Sequence, residues 1–145
     1  MFAHTSSRLV FVVAALTLGA AAFAQVTSSG DEVARVQAAL QAADADAVLS
    51  GSAERVEVVL FGQGSTYRRA QAGHVLRDFF RRFPPERVAF DTRASSDDGR
   101  TAIGRYWTAD GGQPLDVRIL HRVSGNEWEL ASVRVDRRAP TGSGR

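Results

Sequence analysis

The acid–base chemistry open to this sequence rests on three histidines, His4, His74 and His121, and two tyrosines, Tyr67 and Tyr106. Cofactor-free proton transfer, as in an isomerase, dehydratase or hydrolase, needs a base that titrates near neutrality and a partner that orients it. His121 is the candidate base. In "PLDVRILHRV" the apolar Leu115, Val117 and Ile119 alternate with Asp116 and Arg118. A strand here turns His121 to the apolar side and Arg122 to the other. Tyr106 and Tyr67 are the available hydrogen-bond partners. No carboxylate joins them by the same parity, because "RVAFDTRA" puts Val88 and Phe90 inside and Asp91 and Arg93 outside. An imidazole without an orienting acid is an incomplete catalytic set. As a binding surface, Tyr106, Trp107 and His121 would border the mouth of a concave sheet and take a small apolar or amphipathic ligand. In "TAIGRYWTA" Ile103 and Trp107 share one side and Tyr106 and Thr108 the other. Which side faces in stays open, since Gly104 marks a bulge or bend that would change the parity.

Other chemistries find little support. There is no cysteine, and His74 and His121 lack ligand spacing, so no metal centre is expected. "DADA" and "SSDDG" supply too few oxygens for a calcium loop. "GQGS" lacks the lysine of a phosphate loop, and one usable histidine makes no Ser/His/Asp set. No cofactor is expected. The stretch "TYRRAQAGHVLRDFFRRFPPERV", residues 66–88, sets Arg68, Arg69, Arg77, Arg81, Arg82 and Arg87 against Asp78 and Glu86. Arg77, Arg81 and Arg82 form a candidate surface for anions such as lipid head groups or a cell-envelope polymer. Nucleic acid is not expected, because the aromatics of this stretch have the spacing of a buried stripe. All 18 cations are arginine and the formal charge is only +2, so composition does not mark a polyanion binder.

The elements that must position these residues follow from periodicity. A chain of 145 residues with 44% hydrophobic content suits one domain with a real core. Residues 1–24 have the pattern of a Sec-type signal peptide: Arg8, an uncharged run from Leu9 to Ala24, and Ala22-Phe23-Ala24 as the cleavage site before Gln25. The run is shorter than a bilayer span, so no transmembrane anchor is expected after cleavage. The protein is then exported, periplasmic or extracellular. Without disulfides its core must supply the stability. The domain itself is expected at 25–138, with a disordered tail at 139–145.

Helical spacing runs through "SSGDEVARVQAALQAADADAVLSG", with Ser28, Ser29 or Asp31 as cap and Val33, Val36, Leu40 and Ala43 as the buried face. Asp44-Ala45-Asp46 breaks it, and a second short helix ends near Gly51. "ERVEVVLF" alternates as a strand, and "GQGS" is expected as a turn or loop. Ala72, Val75, Leu76, Phe79, Phe80 and Phe83 then trace a full amphipathic helix that Pro84 stops. Four strand-like runs follow, separated by turns at Ser95–Gly99, Asp110–Gly112 and Ser124–Asn126, which predicts an antiparallel meander. The predicted class is α+β, in the order α-α-β-α-β-β-β-β, with the sheet curved around the long helix.

This order resembles the nuclear transport factor 2-like superfamily, the cystatin-like α+β cone. The motifs "YRRAQAGHVLRDFF…PP", "AIGRYWTADG" and "ELASVRVD" resemble more closely a bacterial exported family, domain of unknown function 4783. Tyr67, Ala70, Gln71, Ala72, Phe79, Phe80 and Pro85 match its helix signature, and Ala102, Ile103 and Gly104 its strand signature. The likeness covers about Val33 to Asp136. One departure is Arg68, where members often carry a serine that caps the helix. The family implies no established activity, substrate or catalytic residue. The superfamily implies frequent dimerisation through the exposed sheet face, here Arg93, Arg105, Asp116, Arg118 and Arg122. Three readings therefore stand side by side: a non-catalytic exported binding domain, a small cofactor-free enzyme centred on His121, and a homodimeric assembly domain of the cell envelope.

Overall fold

The structure is a computed structural model and describes residues 29–139. The expected leader at 1–24, the new terminus at Gln25 and the tail from residue 140 lie outside the described residues. Three helices, α1 (Ser29–Gln41), α2 (Ala45–Leu49) and α3 (Arg69–Arg82), accompany six strands. These are β1 (Ser52–Leu60), β2 (Gln63–Arg68), β3 (Pro85–Ser96), β4 (Gly99–Thr108), β5 (Leu115–Ser124) and β6 (Glu127–Arg137). The class is α+β, with the helices on a curved mixed sheet of order β2-β1-β6-β5-β4-β3. The expected meander of β3 to β6 is antiparallel throughout, and β1 joins it by pairing parallel to β6.

The helices form where the periodicity placed them. Val33, Val36 and Leu40 of α1 are buried. Ala43, expected on that face, is instead exposed with a φ of 54°, and it ends the helix. Asp44 then caps α2 by accepting the Ala47 N–H at 2.9 Å. In α3 the buried set is Ala72, Gly73, Leu76, Phe79 and Phe80, while Val75 and Phe83 are half-buried. The helix stops at Arg82, just before the prolines.

Strand β2 is the one added element. The "GQGS" segment is not a loop: Gln63 to Arg68 pair with Leu60 to Arg55 as a hairpin. Its turn is Phe61-Gly62, with positive φ at both residues (54° and 78°), the twist that suits a two-residue hairpin. At the other edge, α1 covers β3. Gln37 Oε1 accepts from Phe90 N–H at 3.2 Å and Gln41 Oε1 from Val88 N–H at 3.5 Å, which blunts the free edge.

The start of α3 is under-capped. Arg68 occupies the N-cap and its side chain has no acceptor, so the one bond made there runs from Arg68 N–H to Gln71 Oε1 at 3.4 Å. Arg68→Ser, which supplies the missing acceptor at an exposed position, should stabilise the domain by about 1 kcal/mol. Thermal melts should show a rise of about 4 °C; a fall would mean that Arg68 contributes more than a cap would.

Candidate functional site

A bulge in β3 decides what faces the helices. Phe90 pairs with Gly104 and Thr92 with Ile103, so Asp91 is the extra residue. Gly104 permits this close approach, since a Cβ there would sit 2.0 Å from the Ala89 carbonyl oxygen. Beyond the bulge the parity of β3 inverts. Arg93 pairs with the buried Ala102, and Ser95 pairs with Arg100. Arg93 is thus on the inner side, contrary to the simple alternation of "RVAFDTRA". Strand β4 itself alternates without interruption: Ala102, Gly104, Tyr106 and Thr108 are buried, and Ile103, Arg105 and Trp107 take the other face.

His121 faces in as expected. It pairs with Arg100 on β4 and with the buried Leu130 on β6, and is 2% exposed. Strands β3 to β6 and the start of α1 enclose a cleft of about 60 Å³, lined by Glu32, Val33, Arg93, Arg100, His121 and Trp128 among others. That is room for about two to four water-sized groups. His121 Nε2 is buried without a hydrogen-bond partner. Burial pushes the imidazole below its ordinary 6.5; the Glu32 carboxylate pulls it back up and the Arg35 guanidinium pushes it down.

Glu32 is the carboxylate that strand parity did not offer, because it arrives on a helix. Arg35 Nε donates to it at 3.2 Å, and Arg35 Nη1 donates to the Ala47 carbonyl and to Ser50 Oγ, both at 2.8 Å. This arginine ties α1 to the end of α2 and leaves Nη2 buried and unpartnered. Opposite, the Arg100 guanidinium stacks on the Trp128 ring at 4.0 Å.

The depressed basicity of His121 has a testable sign. The unfolded chain takes up a proton near pH 6.5, while burial keeps it off in the fold. Stability is therefore full above that pH and is lost as pH falls toward the folded value. The melting temperature should decline between about pH 7 and about pH 5, and His121→Leu should flatten that part of the profile. An unchanged slope in the variant would place the titration elsewhere.

The other candidates lie apart from this cleft. Tyr106 is fully buried, and its hydroxyl donates to the Phe83 carbonyl at 2.5 Å, fastening the end of α3 to β4. Burial pushes its phenol far above the ordinary range. Tyr106 pairs with Leu115 whereas His121 pairs with Arg100, six positions away along β4, or about 20 Å. Trp107 is on the outer face under the Arg87 guanidinium, at 4.0 Å. Tyr67 is half-buried beside a separate groove that includes Phe61 and Phe83. The anticipated sets of His121 with Tyr106 and Trp107, or with Tyr67, are not assembled. Arg77 is ion-paired to Asp46 at 2.6 Å, and Arg81 and Arg82 share Asp78, so two carboxylates offset part of the charge of the candidate anion surface. Arg82 and then Arg81 hold the Asp78 carboxyl below the usual range. His74 is exposed, 3.5 Å from Arg77. Among the described residues no three His, Cys, Asp or Glu side chains gather in a way that could hold a metal ion.

Comparison with known proteins adds the family. The sequence profile of "Domain of unknown function (DUF4783)" matches residues 33–136. A DUF4783 family protein from Bacteroides ovatus superposes with a TM-score of 0.67 at 17% identity, over 73% of this chain and 94% of that one. One from Bacteroides fragilis gives 0.65 at 19% identity, over 72% and 96%. An NTF2-like protein of unknown function from Cytophaga hutchinsonii gives 0.53 at 11% identity, over 73% and 86%. No curated protein matches the chain. With its helices and mixed curved sheet arranged as described, this chain belongs to the DUF4783 family and has the nuclear transport factor 2-like fold.

Proposed function

We propose that the protein is an exported, non-catalytic binding domain that holds a small ligand in the His121 cleft. The observation that carries this is the buried, unpartnered Nε2 of His121, a residue that lines the cleft. Leaving such a group unsatisfied costs about 1–3 kcal/mol, which a ligand bonded to it would recover. The binding role is favoured over proton transfer because Glu32 is engaged by Arg35 and Tyr106 by Phe83. Export rests on the leader pattern of residues 1–24. The test uses the chain from Gln25 with Trp107→Phe, so that Trp128 is the sole tryptophan. Titration with a small-molecule fragment set should give saturable changes in Trp128 emission and in the His121 imidazole NMR signals. If no compound moves either signal, the reading fails. Turnover of a bound compound that is lost in His121→Ala would replace it with a catalytic one.

Self-association is a second reading with its own observation. On the outer sheet face Asp116 stands opposite Asp136, and Arg118 opposite Arg134. Like charges so placed repel, with Arg105 on β4 opposite Asp116 as a partial counter-charge, and a second copy related by a two-fold axis could set each like-charged pair against its opposite. Sedimentation at high concentration and low salt should then show a dimer; a monomer would remove this reading.

A further inference from the structure

We propose that the ligand of the His121 cleft is an organic carboxylate, held by Arg93 and Arg100 with its first carbons against Val33 and Trp128; this rests on the binding role proposed above. Charge is the first argument. Two guanidiniums, Arg93 and Arg100, line the cleft with one carboxylate, Glu32, whose charge Arg35 already opposes at 3.2 Å. Neither Arg93 nor Arg100 is ion-paired with another described residue. Two cations with no counter-ion among the described side chains, beside a buried polar atom, favour an anion.

Position is the second argument. Arg93 comes inside through the Asp91 bulge, and it lies against the first turn of α1. A Cβ on Gly30 would be 3.6 Å from Arg93 Nη1. The α1 N-terminus adds its partial positive charge to the same place. Arg100 is held over the Trp128 ring at 4.0 Å, which fixes its plane and leaves its edge to donate. His121 lines the same space and its Nε2 is buried and unpartnered, so its N–H tautomer would have a third bond to donate to a carboxylate oxygen.

Size and lining narrow the class. About 60 Å³ admits a carboxylate with little more than one attached carbon, so a longer acid must run out along the sheet. Beyond the cleft the inner face continues to Trp128 and to Val123, which is 57% exposed and pairs with it. Such an apolar path suits an alkyl or aryl chain. Planar, forked donors match a carboxylate, and a phosphate would have no use for the apolar wall.

The test compares hexanoate, hexanamide, hexylamine and inorganic phosphate on the chain from Gln25 carrying Trp107→Phe, read by Trp128 emission and His121 NMR signals. Hexanoate should bind at least about tenfold more tightly than hexanamide, and Arg93→Gln should remove about that factor. Arg77→Gln, in the ion pair with Asp46 and not among the residues that line the cleft, should leave hexanoate binding unchanged. Thermal melts of each variant confirm that the fold is kept. Equal binding of acid and amide, tighter binding of the amine, or binding of phosphate alone would overturn the carboxylate and leave the binding site standing. Silence of both signals with all four compounds and with the wider fragment set would overturn the site itself.

Discussion

Gly104→Val should destabilise the domain by about 3 kcal/mol or more and lower the melting temperature by more than about 10 °C. The cause is a collision with atoms that cannot swing away. A Cβ at Gly104 would lie 2.0 Å from the Ala89 carbonyl oxygen and 2.6 Å from Phe90 Cα, all of it backbone. Relief requires β3 and β4 to part at the Phe90–Gly104 pair, beside the Asp91 bulge. The same bulge turns Arg93 inward, so the surviving folded molecules should also have a disturbed cleft. Gly111→Ala is the control. Its φ is 74° with nothing within 4 Å of an added Cβ, so it carries only the conformational cost, about 1 kcal/mol. Urea and thermal melts of the two variants separate the effects. A melting temperature for Gly104→Val within a few degrees of the parent would refute the close-approach argument.

The collision also marks where sequence parity stops being informative. Alternation predicts that Val88 and Phe90 face in, and Val88 is buried with Phe90 packed against the core. It predicts that His121 faces in, and it does. It fails at Arg93 because one extra residue, Asp91, lies between Phe90 and Thr92, and the close approach that accompanies this bulge is permitted by a glycine on the partner strand. Gly104 signalled the irregularity, yet it could not say that the extra residue would be in β3. Glu32 was invisible for a different reason: it reaches the cleft from a helix, and strand alternation carries no information about that. Strand β2 was missed because "QGSTYR" is polar and glycine-bearing, exposed along most of its length, so neither hydrophobic alternation nor β-propensity marks it. Its hairpin turn hides too, since Phe61 stands where a primed turn favours asparagine. The long helix was legible because six apolar residues repeat at helical spacing, a pattern that burial selects strongly.

Phe79→Ala is the second large effect, with an expected cost of about 3–5 kcal/mol. Phe79 is 2% exposed and stands at the centre of an aromatic cluster. Its ring lies 5.3 Å from both Phe83 and Tyr106, 5.8 Å from Phe80 and 6.3 Å from Phe61. Truncation would leave a void bounded by α3, β4 and the β1–β2 turn. That turn is itself costly: Phe61 has a φ of 54°, a region bulky residues avoid. Contacts of Phe61 with Phe79, Phe83 and the Arg137 guanidinium, the last at 5.1 Å, hold it there. Removing Phe79 should therefore loosen the hairpin as well as the core, and β2 amides should exchange faster than those of β5. In a double-mutant cycle Phe61→Asn should cost less in the Phe79→Ala background than in the parent, because the turn regains a favoured residue after its aromatic support has gone. Additive effects would show that the turn is held by something other than the rings. Ligand affinity at the His121 cleft should persist in the folded fraction of Phe79→Ala. The ring contacts Tyr106, about 20 Å along β4 from the pairing position of His121. A loss of binding equal to the loss of stability would mean that core and cleft form one cooperative unit, with the Tyr106 bond to Phe83 as the first link to examine.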